Sequence, residues 1–145
     1  MALKIEAKKH VNVDVVVIGG GMVGLTLALS LGSAGLSVAL IEPSKSSGPK
    51  NKMYDGRTTA ISAGSQKILG SLDVWGGIKP NAQAISEIRV SDARSPVFLH
   101  YHHADLGEQP LGHIVENKEI KAALLAKLAT CNFVSLLFGE YVENL

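Results

Sequence analysis

Six consecutive residues, Gly19-Gly20-Gly21-Met22-Val23-Gly24, carry the clearest chemical signal in the chain. They have the G-x-G-x-x-G spacing that brings a backbone close to a diphosphate. Gly19 permits the tight turn, Gly21 omits the side chain that would block a pyrophosphate, and Gly24 lets a helix pack closely on a strand. Met22 and Val23 open that helix, whose N-terminal N–H groups and dipole suit a diphosphate. Glu42 follows at the distance where a carboxylate accepts hydrogen bonds from the adenosine ribose hydroxyls and repels a 2′-phosphate. The candidate dinucleotide-binding residues are therefore Gly19, Gly21, Met22, Val23, Gly24 and Glu42. The spacing alone does not separate FAD from NAD.

Such a turn needs a strand before it and a helix and a second strand after it. Asp14-Val15-Val16-Val17-Ile18 is a β-branched run suited to a strand buried on both faces. Met22 to Ala34 reads as the helix, with Gly35 as its terminator, and Leu36 to Ile41 as the second strand. A loop rich in Ser, Lys, Gly and Pro follows from Ser44 to Tyr54. Thr58 to Leu72 reads as a helix, because Ile61, Ile68, Leu69 and Leu72 are spaced to face a core. Ile85 to Asp92 and Pro96 to His102 read as an antiparallel pair, and Gly112 to Val115 as a further strand. Asn117 to Ala129 reads as a helix and Phe133 to Phe138 as a buried strand. The class is α/β: a Rossmann-like dinucleotide-binding domain carrying part of an antiparallel β domain. Its expected segments are residues 13–80 for the βαβ unit and following helix, 81–115 for the antiparallel insertion, and 116–145 for the return.

Composition narrows the function classes. The 145 residues are 46% hydrophobic and 19% charged, the balance of a chain with a core and not of a disordered one. A net charge of +1 with interspersed signs makes no electrostatic case for nucleic acid. One cysteine, Cys131, excludes an intramolecular disulfide and fits a reducing compartment. Glycines and serines interrupt the apolar stretch from Val15 to Ile41, so it reads as strand, helix and strand and not as a transmembrane segment.

Other residues of reactive type read as structure. His100 and His102 share one face of a strand, but no Cys or second His cluster completes a metal site. Cys131 reads as a small buried hydrophobe, Trp75 as the anchor of a helix end, and Lys118, Lys121 and Lys127 as a wet helix face.

Three blocks form a recognisable set: Asp14 to Gly24, then Asp55-Gly56-Arg57-Thr58-Thr59-Ala60-Ile61-Ser62, then Gly112-His113-Ile114-Val115-Glu116-Asn117-Lys118. In order and spacing they resemble the FAD-dependent aromatic hydroxylases of ubiquinone biosynthesis, relatives of para-hydroxybenzoate hydroxylase, over nearly the whole chain. Lys118 stands where that family usually has arginine. The resemblance implies an FAD-binding domain of the glutathione-reductase type and an antiparallel substrate domain. It places Arg57 near the diphosphate and ribityl chain, where a guanidinium satisfies several oxygens at once. It places His113 at a flavin-contact position and the Val142 backbone against the adenine. Asp55 reads alternatively as a helix cap, and Glu116 and Asn117 are read in preference as the cap of the 117–129 helix.

The implied chemistry is hydroxylation of a lipophilic aromatic ubiquinone precursor, with FAD as cofactor, NAD(P)H as reductant and O2 as co-substrate. No catalytic side chain is assigned. The family's mid-chain Asp-Gly segment, and the Gly-Asp near its C-terminus that holds the ribityl chain and flavin ring, are expected beyond residue 145 and do not appear here. The expectation is therefore an N-terminal portion that holds the ADP half of FAD and does not hydroxylate alone. The expected partners are the lipophilic substrate and other ubiquinone-biosynthesis proteins, with no nucleic acid and no transmembrane segment. The expected location is cytoplasmic, with peripheral placement on the inner membrane as the option that so greasy a substrate raises. Two alternatives stay open: an NAD-dependent dehydrogenase, which would continue in regular βαβ units after Glu42, and a non-catalytic dinucleotide-binding fragment.

Overall fold

The structure is a computed structural model that describes residues 12–45 and 56–143. Its first unit follows from local sequence. Strand β1 (Val15–Ile18) runs into the glycine turn, helix α1 (Met22–Ser33) crosses back, and strand β2 (Val38–Glu42) lies parallel to β1, with Val15 opposite Val38 and Ile18 opposite Ile41. α1 ends as its glycine predicts. Gly35 adopts φ +87°, its N–H donates to the Gly32 carbonyl, and the Leu36 N–H donates to the Leu31 carbonyl. These are the two bonds of a Schellman end. At the opposite edge, the Asp14 carboxylate accepts from the Ser37 hydroxyl at 2.6 Å and the Ser37 N–H at 2.8 Å, fixing the starts of β1 and β2 side by side.

The next segment differs from its sequence reading. Thr58 to Leu72 is not one helix: strand β3 (Thr58–Ser62) comes first, and helix α2 (Ala63–Ser71) follows. Two β-branched threonines and Ile61 favour the extended form, and a pairing partner far along the chain stabilises it. Ser62 then caps α2, its hydroxyl accepting from the Ser65 N–H at 3.2 Å. The Asp55 cap reading lies outside the described residues. A one-turn helix α3 (Trp75–Ile78) precedes strand β4 (Gln83–Ile85). The antiparallel pair is trimmed to β5 (Glu87–Ser91) and β6 (Phe98–His102). Strand β7 (Gly112–Glu116), helix α4 (Asn117–Leu128) and strand β8 (Val134–Phe138) complete the order.

Three sheets result among the described residues. The parallel sheet has the order β1-β2-β8, the second has β3-β7-β4 with antiparallel pairing, and β5-β6 stands as a two-stranded ribbon. α1 packs on the parallel sheet and against α4. Leu25 and Leu29 of α1, Leu40 of β2 and Leu124 and Leu128 of α4 belong to one buried cluster that extends to Ile61, Val115 and Trp75. Each fully buried leucine contributes about 1.5–3 kcal/mol relative to an exposed one. Gly32 permits close approach of α1 to the sheet, because a Cβ there would lie 2.5 Å from Val134 Cγ2.

Candidate dinucleotide site at the carboxyl ends of the parallel strands

β1, β2 and β8 are parallel, so their carboxyl ends share one edge of the sheet, the side on which open α/β sheets bind ligands. The three fingerprint glycines meet there for three different reasons. Gly19 adopts φ +105°, a conformation that L side chains rarely take, and its N–H donates to the Ile41 carbonyl at 2.8 Å. Gly24 faces the strand: a Cβ there would lie 1.9 Å from the Gly19 carbonyl oxygen, so only glycine lets α1 start at this height. Gly21 needs neither freedom. It is the N-cap of α1 at φ −75° and ψ 177°, a conformation open to any residue, and a Cβ would meet nothing within 4 Å.

The N-terminus of α1 is left bare beside that open space. No side chain caps it and its first turn holds no acidic residue. The N–H groups of Met22, Val23 and Gly24 have no intrahelical acceptor, as in the first turn of any α-helix. These residues fit a diphosphate in charge, in hydrogen-bonding capacity and in clearance.

Glu42, at the end of β2, is held beside this turn. Its Oε2 accepts the Gly20 N–H at 2.6 Å, and its Oε1 accepts the Ser44 N–H at 3.0 Å and the Ser44 hydroxyl. The Ser44 hydroxyl, then the Gly20 and Ser44 N–H groups, lower its pKa to about 2. The carboxylate is thus oriented before any ligand arrives, and Oε2, with one donor, keeps lone-pair capacity for a further one. Gly20 and Ser44 were absent from the sequence candidates. Ser44 could have been found, since Glu42-Pro43-Ser44 sets a hydroxyl and an N–H two residues from the carboxylate. Gly20 carried no side-chain signal, because its contribution is a backbone N–H.

Arg57 is exposed and immediately precedes β3, and its carbonyl accepts the Asn117 N–H at 3.1 Å. β3 forms one wall of an apolar groove of about 440 Å³, and Met22, Val23, Thr26 and Leu27 of α1 form the other. Arg57 therefore directly precedes the strand that faces the first turns of α1. Val142 follows β8 by four residues and is partly exposed, and directly after the strand the Gly139 N–H donates to the Glu42 carbonyl at 2.7 Å. His113 sits on β7 opposite Ile61 and meets the Trp75 ring edge-on at 5.0 Å, and its buried Nδ1 has no hydrogen-bond partner among the described residues.

The capping reading of Glu116 and Asn117 needs correction. Glu116 occupies the N-cap position of α4 but makes no capping hydrogen bond with its side chain. Its carboxylate pairs with Lys118 at 2.6 Å. The Asn117 side-chain oxygen instead accepts the Thr59 hydroxyl at 2.7 Å, tying α4 to β3. Away from the site, Glu87 bridges Arg89 at 3.1 Å and His100 at 2.9 Å on one face of the β5-β6 ribbon. Among the described residues no group of His, Cys, Asp and Glu is placed to hold a metal, and no helix is long and apolar enough to cross a membrane.

Residues 14–64 match the FAD dependent oxidoreductase family. Ubiquinone hydroxylase UbiL of Rhodospirillum rubrum is 38% identical over 124 residues, covering 86% of this chain and 29% of the relative. Ubiquinone hydroxylase UbiM of Neisseria meningitidis is 31% identical over 136 residues, covering 90% of this chain and 30% of the relative. The chain thus spans under a third of the length of these relatives. Among solved structures, p-nitrophenol 4-monooxygenase PnpA from Pseudomonas putida DLL-E4 has the same fold, with a TM-score of 0.68 at 21% identity over 90% of this chain and 32% of that one.

Proposed function

Because the chain belongs to the FAD-dependent hydroxylases related to ubiquinone biosynthesis, we propose that it forms the part of such an enzyme that holds the ADP half of FAD. One observation carries this reading. Gly21 is glycine where neither its backbone angles nor its neighbours require it, so the missing side chain leaves room for something that approaches from outside. What approaches is anionic, because the bare end of α1 offers N–H donors and the positive end of its dipole.

The residues divide the work. The N–H groups of Met22, Val23 and Gly24 receive the diphosphate, and Glu42, pre-oriented by Gly20 and Ser44, receives the adenosine ribose. Arg57 adds its charge along the diphosphate and ribityl chain, and the Val142 backbone meets the adenine. His113 is assigned to the flavin surroundings through the second sheet. When bound, FAD supplies the redox chemistry, taking electrons from NAD(P)H and activating O2 for hydroxylation of an aromatic ring. The substrate is a lipophilic aromatic ubiquinone precursor, in keeping with the names of the relatives. Residues 13–80 and 116–145 serve the cofactor, and residues 81–115 contribute a part of the substrate domain. The enzyme works in the cytoplasm, peripheral to the inner membrane, among other proteins of the same biosynthesis.

The test is titration of the purified chain with FAD, ADP and riboflavin by calorimetry. FAD and ADP should compete for one site, and riboflavin alone should give no heat. Binding of NAD without FAD would move the assignment to a dehydrogenase. A folded chain that binds none of them would sink the reading.

A further inference from the structure

The two oxygens of the Glu42 carboxylate are not equally engaged. Oε1 accepts both the Ser44 N–H, at 3.0 Å, and the Ser44 hydroxyl. Among the described residues Oε2 accepts only the Gly20 N–H, at 2.6 Å. A carboxylate oxygen offers two lone pairs, so Oε1 is filled and Oε2 has one place left. The side chain has little freedom to turn and present them differently. Gly20 packs against it so closely that a Cβ there would lie 2.9 Å from Glu42 Cβ and 3.1 Å from Oε2. The backbone beneath is fixed as well, because the Gly139 N–H donates to the Glu42 carbonyl at 2.7 Å.

A ribose carries two neighbouring hydroxyls, and an unengaged carboxylate can accept one on each oxygen. Here the second hydroxyl would have to displace that of Ser44. Such a displacement exchanges one O–H donor for another on the same charged acceptor, so it gains little. Building on the placement of the ADP half of FAD at this edge, we propose that Ser44 is a specificity-determining residue. It fills Oε1 and limits Glu42 to a single ribose hydroxyl, taken by Oε2. The site then distinguishes the two ribose positions: it requires a hydroxyl at one and tolerates its loss at the other.

Calorimetry of the purified chain with ADP, 2′-deoxy-ADP and 3′-deoxy-ADP tests this. In the parent, one deoxy nucleotide should bind within about twofold of ADP. The other should bind about tenfold more weakly, as expected for one lost hydrogen bond to a charged acceptor. Ser44→Ala keeps the backbone N–H but opens a place on Oε1, so both deoxy nucleotides should then fall about tenfold below ADP. Ser44→Thr keeps a hydroxyl and should restore the one-sided pattern. Ser44 is exposed, and both variants should melt with the parent. Two weak deoxy nucleotides in the parent would show that the ribose engages both oxygens, and would overturn the proposal. A one-sided pattern that persists in Ser44→Ala, or equal binding of all three nucleotides to the parent, would overturn it too. Absence of heat with ADP itself is a separate result: it would refute the placement of the ADP half, and this proposal with it.

Discussion

Two helices of this chain have the same length and each follows a strand, yet their first turns are furnished in opposite ways. α1 and α4 both run for 12 residues, α1 after the glycine turn that follows β1 and α4 directly from the end of β7. At α4 the chain supplies its own partners: Glu119 brings negative charge to the first turn, Glu116 pairs with Lys118, and Asn117 binds Thr59. At α1 there is no capping side chain and no acid. Both ends begin with N–H groups that lack an intrahelical acceptor and carry the same partial positive charge, but at α4 the Asn117 N–H donates to the Arg57 carbonyl. One is completed from within for stability; the other is left to be completed by a ligand.

Breaking this contrast at Gly21 should have the largest effect. Gly21→Val fits the backbone and strikes no neighbour, so the fold should keep its melting temperature while calorimetry loses the heat of FAD binding. Unchanged affinity would show that the space beside Gly21 is not used. Gly24→Ala should act in the other currency. Its Cβ would press on the Gly19 carbonyl, and overpacking of this kind costs about 3 kcal/mol, to be read by denaturant unfolding. A variant as stable as the parent would mean that α1 can slide on β1.

Glu42→Ala should weaken ADP binding by about 1–3 kcal/mol through loss of the ribose acceptor. Parental affinity would reduce Glu42 to a support for the turn. The same carboxylate gives a pH signature. Its folded pKa, about 2, lies below its ordinary 4.5, so its contribution is complete above pH 4.5 and lost as pH falls towards 2. The stability difference between parent and Glu42→Gln should shrink over that window. A difference that stays constant down to pH 2 would contradict it. The smallest effect belongs to α4. Thr59→Val removes one hydrogen bond, with an expected loss of about 1 kcal/mol in stability and none in FAD affinity. Weaker FAD binding in this variant would join α4 to the site and blur the comparison.

The first unit was legible because its determinants are local. The β-branched run, the glycine turn and the terminating Gly35 act within a few residues of one another, and no distant partner overrides them. Thr58 to Ser62 was misread for the opposite reason. Ile61, Ile68, Leu69 and Leu72 keep a helical spacing, but Ile61 finds its register partner in His113, far along the chain. Asn117 repeats the lesson at a single side chain: its type suits a helix cap, and Thr59, brought alongside by the second sheet, engages it instead. At the candidate site, the glycines and Glu42 were proposed from spacing, and Arg57, His113 and Val142 from the resemblance. The backbone donor Gly20, which fixes Glu42, was not, since a peptide N–H leaves no trace in residue type.

The parallel sheet also has a consequence for how the protein comes into being. β1 and β2 are joined by a short crossover, but β8 pairs with β2 from Val38 opposite Val134 to Glu42 opposite Phe138. A strand order of β1-β2-β8 therefore combines a contact that can form early in synthesis with one that waits until Phe138 has emerged. Until then β2, the central strand, presents an unpaired edge rich in aliphatic residues. During translation this edge stays open to pairing with other strands, and slowing the ribosome between the codons for Glu42 and Val134 should lengthen that exposure.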